Sequence, residues 1–252
     1  MKFSSLPFLL TALLLFVAII TRRTVRLGRL KPINAGAIYG VVFLLALWSI
    51  VSSGLALSGF YKSSTFLTWL PGLWFPLIPL GICIIPFFLS SRFRQTLCAI
   101  VDATPATWFI YLQALRITAV GTLYKTLIGE FPVHIELALG VPDLCFGLSA
   151  LYMAKRVRSK TLSDRTLIIW NLVGAGIVII PGELLIQMGL PGPMQVFSSP
   201  PTTEVMFEFP LALAPTVVVP LLVVMNGLIA WRLIKRRTTA GQGEYRQGEY
   251  KA

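Results

Sequence analysis

Two polar side chains three residues apart, Gln113 and Arg116, interrupt the apolar run FIYLQALRITAV at residues 109–120. A guanidinium keeps its charge and offers five N–H donors, so in an apolar setting it requires a carboxylate, phosphate or carbonyl within reach. Asp143, in VPDLCFGL, is the carboxylate best placed in the sequence, and Gln113 sits one turn before Arg116 on the same helix face. Asn171, in IIWNLV, completes the group as a hydrogen-bonding amide. Two functions suit such a set. It can line a polar site that receives a solute carboxylate, phosphate or proton, or it can latch two helices together.

Other chemistry finds no residues to carry it. There is no phosphate loop of the G-x-x-x-x-G-K type, no H-E-x-x-H and no G-x-S-x-G. Cys83, Cys98 and Cys145 lack metal-ligand spacing and read as small apolar fillers. No lysine lies between Pro210 and Ile234, where a retinal-binding last helix would need one. The expectation is therefore no catalytic residue, no metal and no cofactor.

The elements that position Arg116 and Asp143 are membrane helices. The chain is 56% apolar and 13% charged, where soluble domains are about 25% charged, and its mean hydropathy is +0.78. A hydrocarbon core of about 30 Å takes some 20 apolar residues per helix. Seven stretches qualify, at 4–21, 35–60, 66–89, 105–128, 133–154, 166–189 and 210–234, giving an all-α bundle over residues 1–237. QGEYRQGEY at 242–250 has no apolar face, so 238–252 read as a disordered cytoplasmic tail.

The net charge of +12 raises the question of nucleic acid, but the cations sit beside the apolar stretches rather than on one basic face. Of the 22 Lys and Arg residues, 18 follow the first, third, fifth and seventh stretches. Retention of positive loops then predicts an outside N-terminus, a cytoplasmic C-terminus and no nucleic-acid partner. The partners expected are the lipid bilayer, a small-molecule or ion ligand, and an oligomer or another membrane protein.

In this frame Arg116 lies about 16 Å into the fourth span and Asp143 about 15 Å into the fifth, so the two meet at mid-depth. A lone charge there costs about 2.5–3.5 kcal/mol on insertion scales, which makes the pairing expected. Lys125, Glu130, His134, Glu136 and Glu183 fall toward the outer rim, where His134 and Glu136 read as solvated boundary residues. Asn226 reads as an interhelical hydrogen-bonding residue ahead of a ligand contact, and Trp48, mid-span, as packing. SSRFRQTLCAIVDATP at 90–105 reads as an interfacial helix or a loop, and the proline-rich 190–209 as a cap or an interfacial segment.

Prolines 76, 79 and 86 in the third span and 215 and 220 in the seventh should free carbonyls and bend helices. FPLIPLGICIIPFFL and FPLALAPTVVVPLLV share Phe-Pro-Leu and a second proline ten residues on, which raises a 3+1+3 repeat with the fourth span as linker. That layout is similar to the PQ-loop and sugar-exporting families, although no Pro-Gln pair is present.

Gln113-x-x-Arg116, Pro142-Asp143 and Trp170-Asn171 together resemble the pattern of uncharacterised bacterial multi-pass inner-membrane proteins, over about residues 105–225. The resemblance implies a bacterial inner-membrane setting and no particular activity. Function then divides between a transporter or receptor for a small solute, with Gln113, Arg116, Asp143 and Asn171 at its site, and a structural, assembly or sensory subunit in which Arg116–Asp143 is only a latch.

Overall fold

The computed structural model describes residues 4–249, and among these there are helices, turns and no strand. Helix α1 (Leu6–Arg26) and α2 (Pro32–Leu57) form a hairpin; Pro7 in the first turn of α1 and Pro32 at the start of α2 lack an N–H where the helix would leave it unpaired anyway. Two short helices, α3 (Ser64–Thr68) and α4 (Pro71–Trp74), lead into α5 (Leu77–Leu89). Helix α6 (Ser91–Ala103) follows, capped by Ser90, whose Oγ accepts from the Phe93 N–H at 3.2 Å. It buries a stripe of Phe93, Thr96 and Ile100 at helical spacing, and the basic residues Arg92 and Arg94 lie off that stripe.

Then come α7 (Ala106–Gln113), a 3-10 segment (Ala114–Ala119) and α8 (Val120–Leu127). A single turn α9 (Val133–Ile135) passes through a π-helical turn (Glu136–Gly140) into α10 (Val141–Arg158). Helix α11 is Asp164–Met188, and a second π turn (Ala214–Val218) opens α12 (Val219–Glu249). The helix thus extends through most of the stretch read as a tail, and residues 250–252 lie outside the described residues.

Six of these runs are long and apolar enough to cross a membrane: Leu6–Arg26, Pro32–Leu57, Pro71–Leu89, Val133–Arg158, Asp164–Met188 and Ala214–Thr239. The stretch at 105–128 is helical nearly throughout but changes from α to 3-10 and back, so no single helix there reaches that length. Half of the apolar window of Ala214–Thr239 is buried against 17% for Pro71–Leu89, which makes the last run the centre of the bundle and the third a peripheral one. Peripheral side chains such as Phe43, Ile50, Phe88 and Leu89 are apolar and exposed, as a hydrocarbon-facing surface requires.

Two large apolar clusters fill the interior, with a smaller one around Ile110, Ala150, Met153 and Leu167. One joins α1, α2 and α12 through Leu13, Leu45, Val217 and Leu222. The other is an aromatic block at the end where α1 begins, with Tyr61, Phe66, Phe75 and Phe207 at ring separations of 4.9–6.1 Å. Burial pushes the Tyr61 hydroxyl up to about 12 despite its bond to Ser52. Residues 203–207 enter this block through Met206 and Phe207, so the proline-rich segment closes that end of the bundle.

Candidate functional site

Three departures from α-helix converge, and two of them are forced by a following proline. Pro142 has no N–H to return to the carbonyl four residues earlier, and the preceding turn widens to π over Glu136–Gly140. Pro220 likewise leaves the Thr216 carbonyl free, and the Trp48 indole N–H donates to it at 2.9 Å. Trp48 is therefore a hydrogen-bond donor as well as packing. The Thr216 hydroxyl meets Ser52 at 3.0 Å, and Ser52 accepts from Tyr61 at 3.1 Å, so the second π turn is tied to the aromatic block. The third departure, Ala114–Ala119, carries Arg116.

Gly147 makes the third departure's contact with α10 possible. A Cβ there would stand 2.7 Å from the Ile117 backbone nitrogen, so only glycine lets α10 lie directly on the 3-10 segment. With the two backbones this close, Arg116 Nη1 donates to Asp143 Oδ1 at 2.7 Å and to the Gly174 carbonyl of α11 at 3.0 Å. Its Nε donates to Gln113 Oε1 at 2.9 Å, and its guanidinium lies 4.8 Å from the centre of the Phe146 ring. Phe146 in turn stacks on Trp170, whose indole donates to Ser149. Arg116 is 1% exposed and Gln113 1%, so the group is held inside protein.

The structure thus unites Gln113, Arg116 and Asp143 and leaves Asn171 apart. Asn171 donates to the Leu167 carbonyl at 2.8 Å and lines a different, smaller cavity of about 110 Å³ with Asp102, Arg232 and Arg236. At that end Arg232 and Arg236 both bond the Asp102 carboxylate, fastening α6 to α12. Burial alone would raise Asp102, but the two guanidinium partners outweigh it and hold the carboxyl below its ordinary value.

A larger cavity, about 420 Å³, opens beside Arg116 and Asp143. Residues of all three helix breaks border it: Arg116 and Thr118, Glu136 and Gly140, Pro215 and Val218. Most of the wall is aliphatic, from residues such as Leu9, Leu80, Val178 and Ile179. Four buried polar atoms of its lining lack a hydrogen-bond partner: Arg116 Nη2, Lys125 Nζ and both carboxylate oxygens of Glu136. Natural interiors contain few such atoms, and each calls for a reason.

Glu136 corrects the sequence reading. It is 0% exposed, not a solvated boundary residue, because the π turn swings it inward over Gly140, where a Cβ would fall 2.2 Å from its carboxylate. The glycine four residues on and Pro142 after it were the signals for this burial. His134 faces away from it, stacked on Phe197 at 4.0 Å with Nε2 3.2 Å from the Thr203 hydroxyl. Asn226, expected to make an interhelical hydrogen bond, is fully buried with neither amide atom partnered.

A family model described as a domain of unknown function (DUF8737) matches residues 74–234, more than half of the chain. The chain belongs to that family. No curated protein and no solved structure matches it. The DUF8737 segment contains Gln113, Arg116, Lys125, Glu136, Asp143 and Glu183 and both π turns, while the cavity wall supplied by α1, including Ser5 and Leu9, lies before it.

Proposed function

We propose that this is a seven-crossing protein of a bacterial inner membrane, N-terminus outside and C-terminus cytoplasmic, that binds a small solute in the cavity beside Arg116 and Asp143 as a transporter or receptor. The crossing beyond the six long runs is the fourth in chain order, the broken run 106–127, and a helix interrupted at membrane depth is tolerated where it is packed in protein or lines a cavity. The positive residues after alternate helices support the orientation.

The observation that carries the reading is the coincidence of three helix breaks with four unpartnered polar atoms around one cavity. A structural core would satisfy those groups; a binding site keeps them for its ligand. The competing reading, a helix latch in a structural, assembly or sensory subunit, rests on the three hydrogen bonds that Arg116 already makes.

Filling the cavity separates the two. A Cβ at Gly182 on α11 would meet only side-chain carbons of Leu139 and Val178 at 3.8–4.0 Å, so Gly182→Phe adds a ring without displacing backbone. Thermal unfolding of the full chain in nanodiscs, screened against small charged and zwitterionic solutes, should show stabilisation of the native protein by some of them and none of Gly182→Phe. Equal behaviour of the two proteins toward every solute would leave only the latch.

A further inference from the structure

The charge inventory of the cavity narrows what it would hold. Arg116 and Asp143 neutralise each other across 2.7 Å. Three charged side chains remain on the wall, Lys125, Glu136 and Glu183. The Lys125 ammonium nitrogen is buried with no partner, and the fully buried Glu136 offers two oxygens with no partner. They border the same space without bonding each other. Thr122 lies beside Glu136, but its hydroxyl donates to the Ala119 carbonyl at 2.8 Å.

A buried charge that lacks a partner is costly, so a ligand that satisfies one of these groups and strands the other gains little. An amine alone would leave Lys125 bare. A carboxylate alone would leave Glu136 bare and add to a wall that already carries an excess negative charge from Glu183. A ligand with an ammonium and a carboxylate at its head satisfies both groups at once and leaves the net charge of the wall unchanged. The rest of the wall, aliphatic around Leu80, Leu139, Val178 and Ile179, would receive a carbon body.

Resting on the solute-binding reading above, we propose that the cavity takes an apolar zwitterion of the amino-acid type, its ammonium on Glu136, its carboxylate on Lys125, and its side chain against the aliphatic wall. The Glu136 carboxylate is held for this in the π turn, two turns before Asp143 on the same run of helix. Lys125 reaches in from α8, beyond the 3-10 break.

Binding of three probes to the full chain in nanodiscs, by calorimetry, tests this without any substitution: leucine, 4-methylpentanoate, which lacks the amine, and 3-methylbutylamine, which lacks the carboxylate. Leucine should bind at least about tenfold more tightly than either. Glu136→Gln should bring leucine down to the level of 4-methylpentanoate, and Lys125→Met should bring it down to that of 3-methylbutylamine. Equal affinities for the three probes, or a leucine preference untouched by both substitutions, would overturn the zwitterion assignment. Binding of 4-methylpentanoate alone, abolished in Gly182→Phe, would overturn it while the solute-binding reading stands. Failure of every solute to distinguish the native chain from Gly182→Phe would remove that reading and this one together.

Discussion

Two arginine–aspartate contacts in this molecule differ in what surrounds them. Arg116 and Asp143 meet inside the bundle, with the Arg116 side chain fully enclosed and Asp143 19% exposed. Asp102, at the end of α6, meets Arg232 and Arg236 from the middle of α12, with all three partly exposed. The second contact is an ordinary fastening between α6 and α12, since water can replace any partner that is lost. The first cannot be replaced in that way. Enclosure makes it expensive to break, and it also explains why an unpartnered nitrogen left on Arg116 calls for a reason.

The largest expected difference comes from removing one carboxylate from each. Asp143→Ala would strand an enclosed guanidinium and should cost about 3–5 kcal/mol; Asp102→Ala should cost less than about 1 kcal/mol. Denaturant unfolding of the two variants in matched micelles compares them directly, and similar losses would erase the distinction. Next in size is the close approach that builds the enclosed pair. Gly147→Leu would force α10 away from the 3-10 segment and should cost about 1–3 kcal/mol as overpacking, with the same unfolding assay as its check.

The site's second support should give an effect of the same order. Trp48→Phe keeps an aromatic ring edge-on to Phe75 but strips the donor from the Thr216 carbonyl, a loss of about 1–3 kcal/mol for an unsatisfied buried acceptor. The smallest is the pH response of the exposed contact. Asp102 is held below its ordinary value in the folded protein, so its stabilisation is complete above the unfolded carboxyl value near ~3.9 and disappears as pH falls through the lower folded value. Native protein should therefore lose more stability than Asp102→Asn as pH is lowered below about 4, measured by thermal unfolding.

Much of the enclosed contact could be read from residue types. A guanidinium in an apolar run has few ways to be satisfied, and Arg116, Gln113 and Asp143 do join by hydrogen bonds. Asn171 failed the same reasoning because polarity says nothing about level: it lies one turn before Gly174 on α11, bonds the Leu167 carbonyl and lines the smaller cavity beside Asp102. Glu136 was misread because a residue near a span's end looks wet when the helix is assumed regular. The π turn before Pro142 changes its facing, and a turn of that kind leaves only a proline and a glycine as traces in the sequence. Helix α6 was one of two readings left open for residues 90–105, and its attachment through Asp102 to a residue 130 positions later was not legible, since charge pairing across such a separation depends on tertiary packing.

Whether the enclosed pair serves a cavity or only joins helices can be decided by exchanging it. In Arg116→Asp/Asp143→Arg the charges remain balanced between the same two backbones, but the guanidinium leaves the 3-10 segment that borders the cavity. Unfolding midpoints of the exchange variant, taken with and without a solute that stabilises the native chain, measure both properties at once. The account predicts that the exchange recovers most of the stability lost in Asp143→Ala while the solute-dependent shift stays absent. Recovery of both stability and the solute shift would contradict it and leave the pair as a latch.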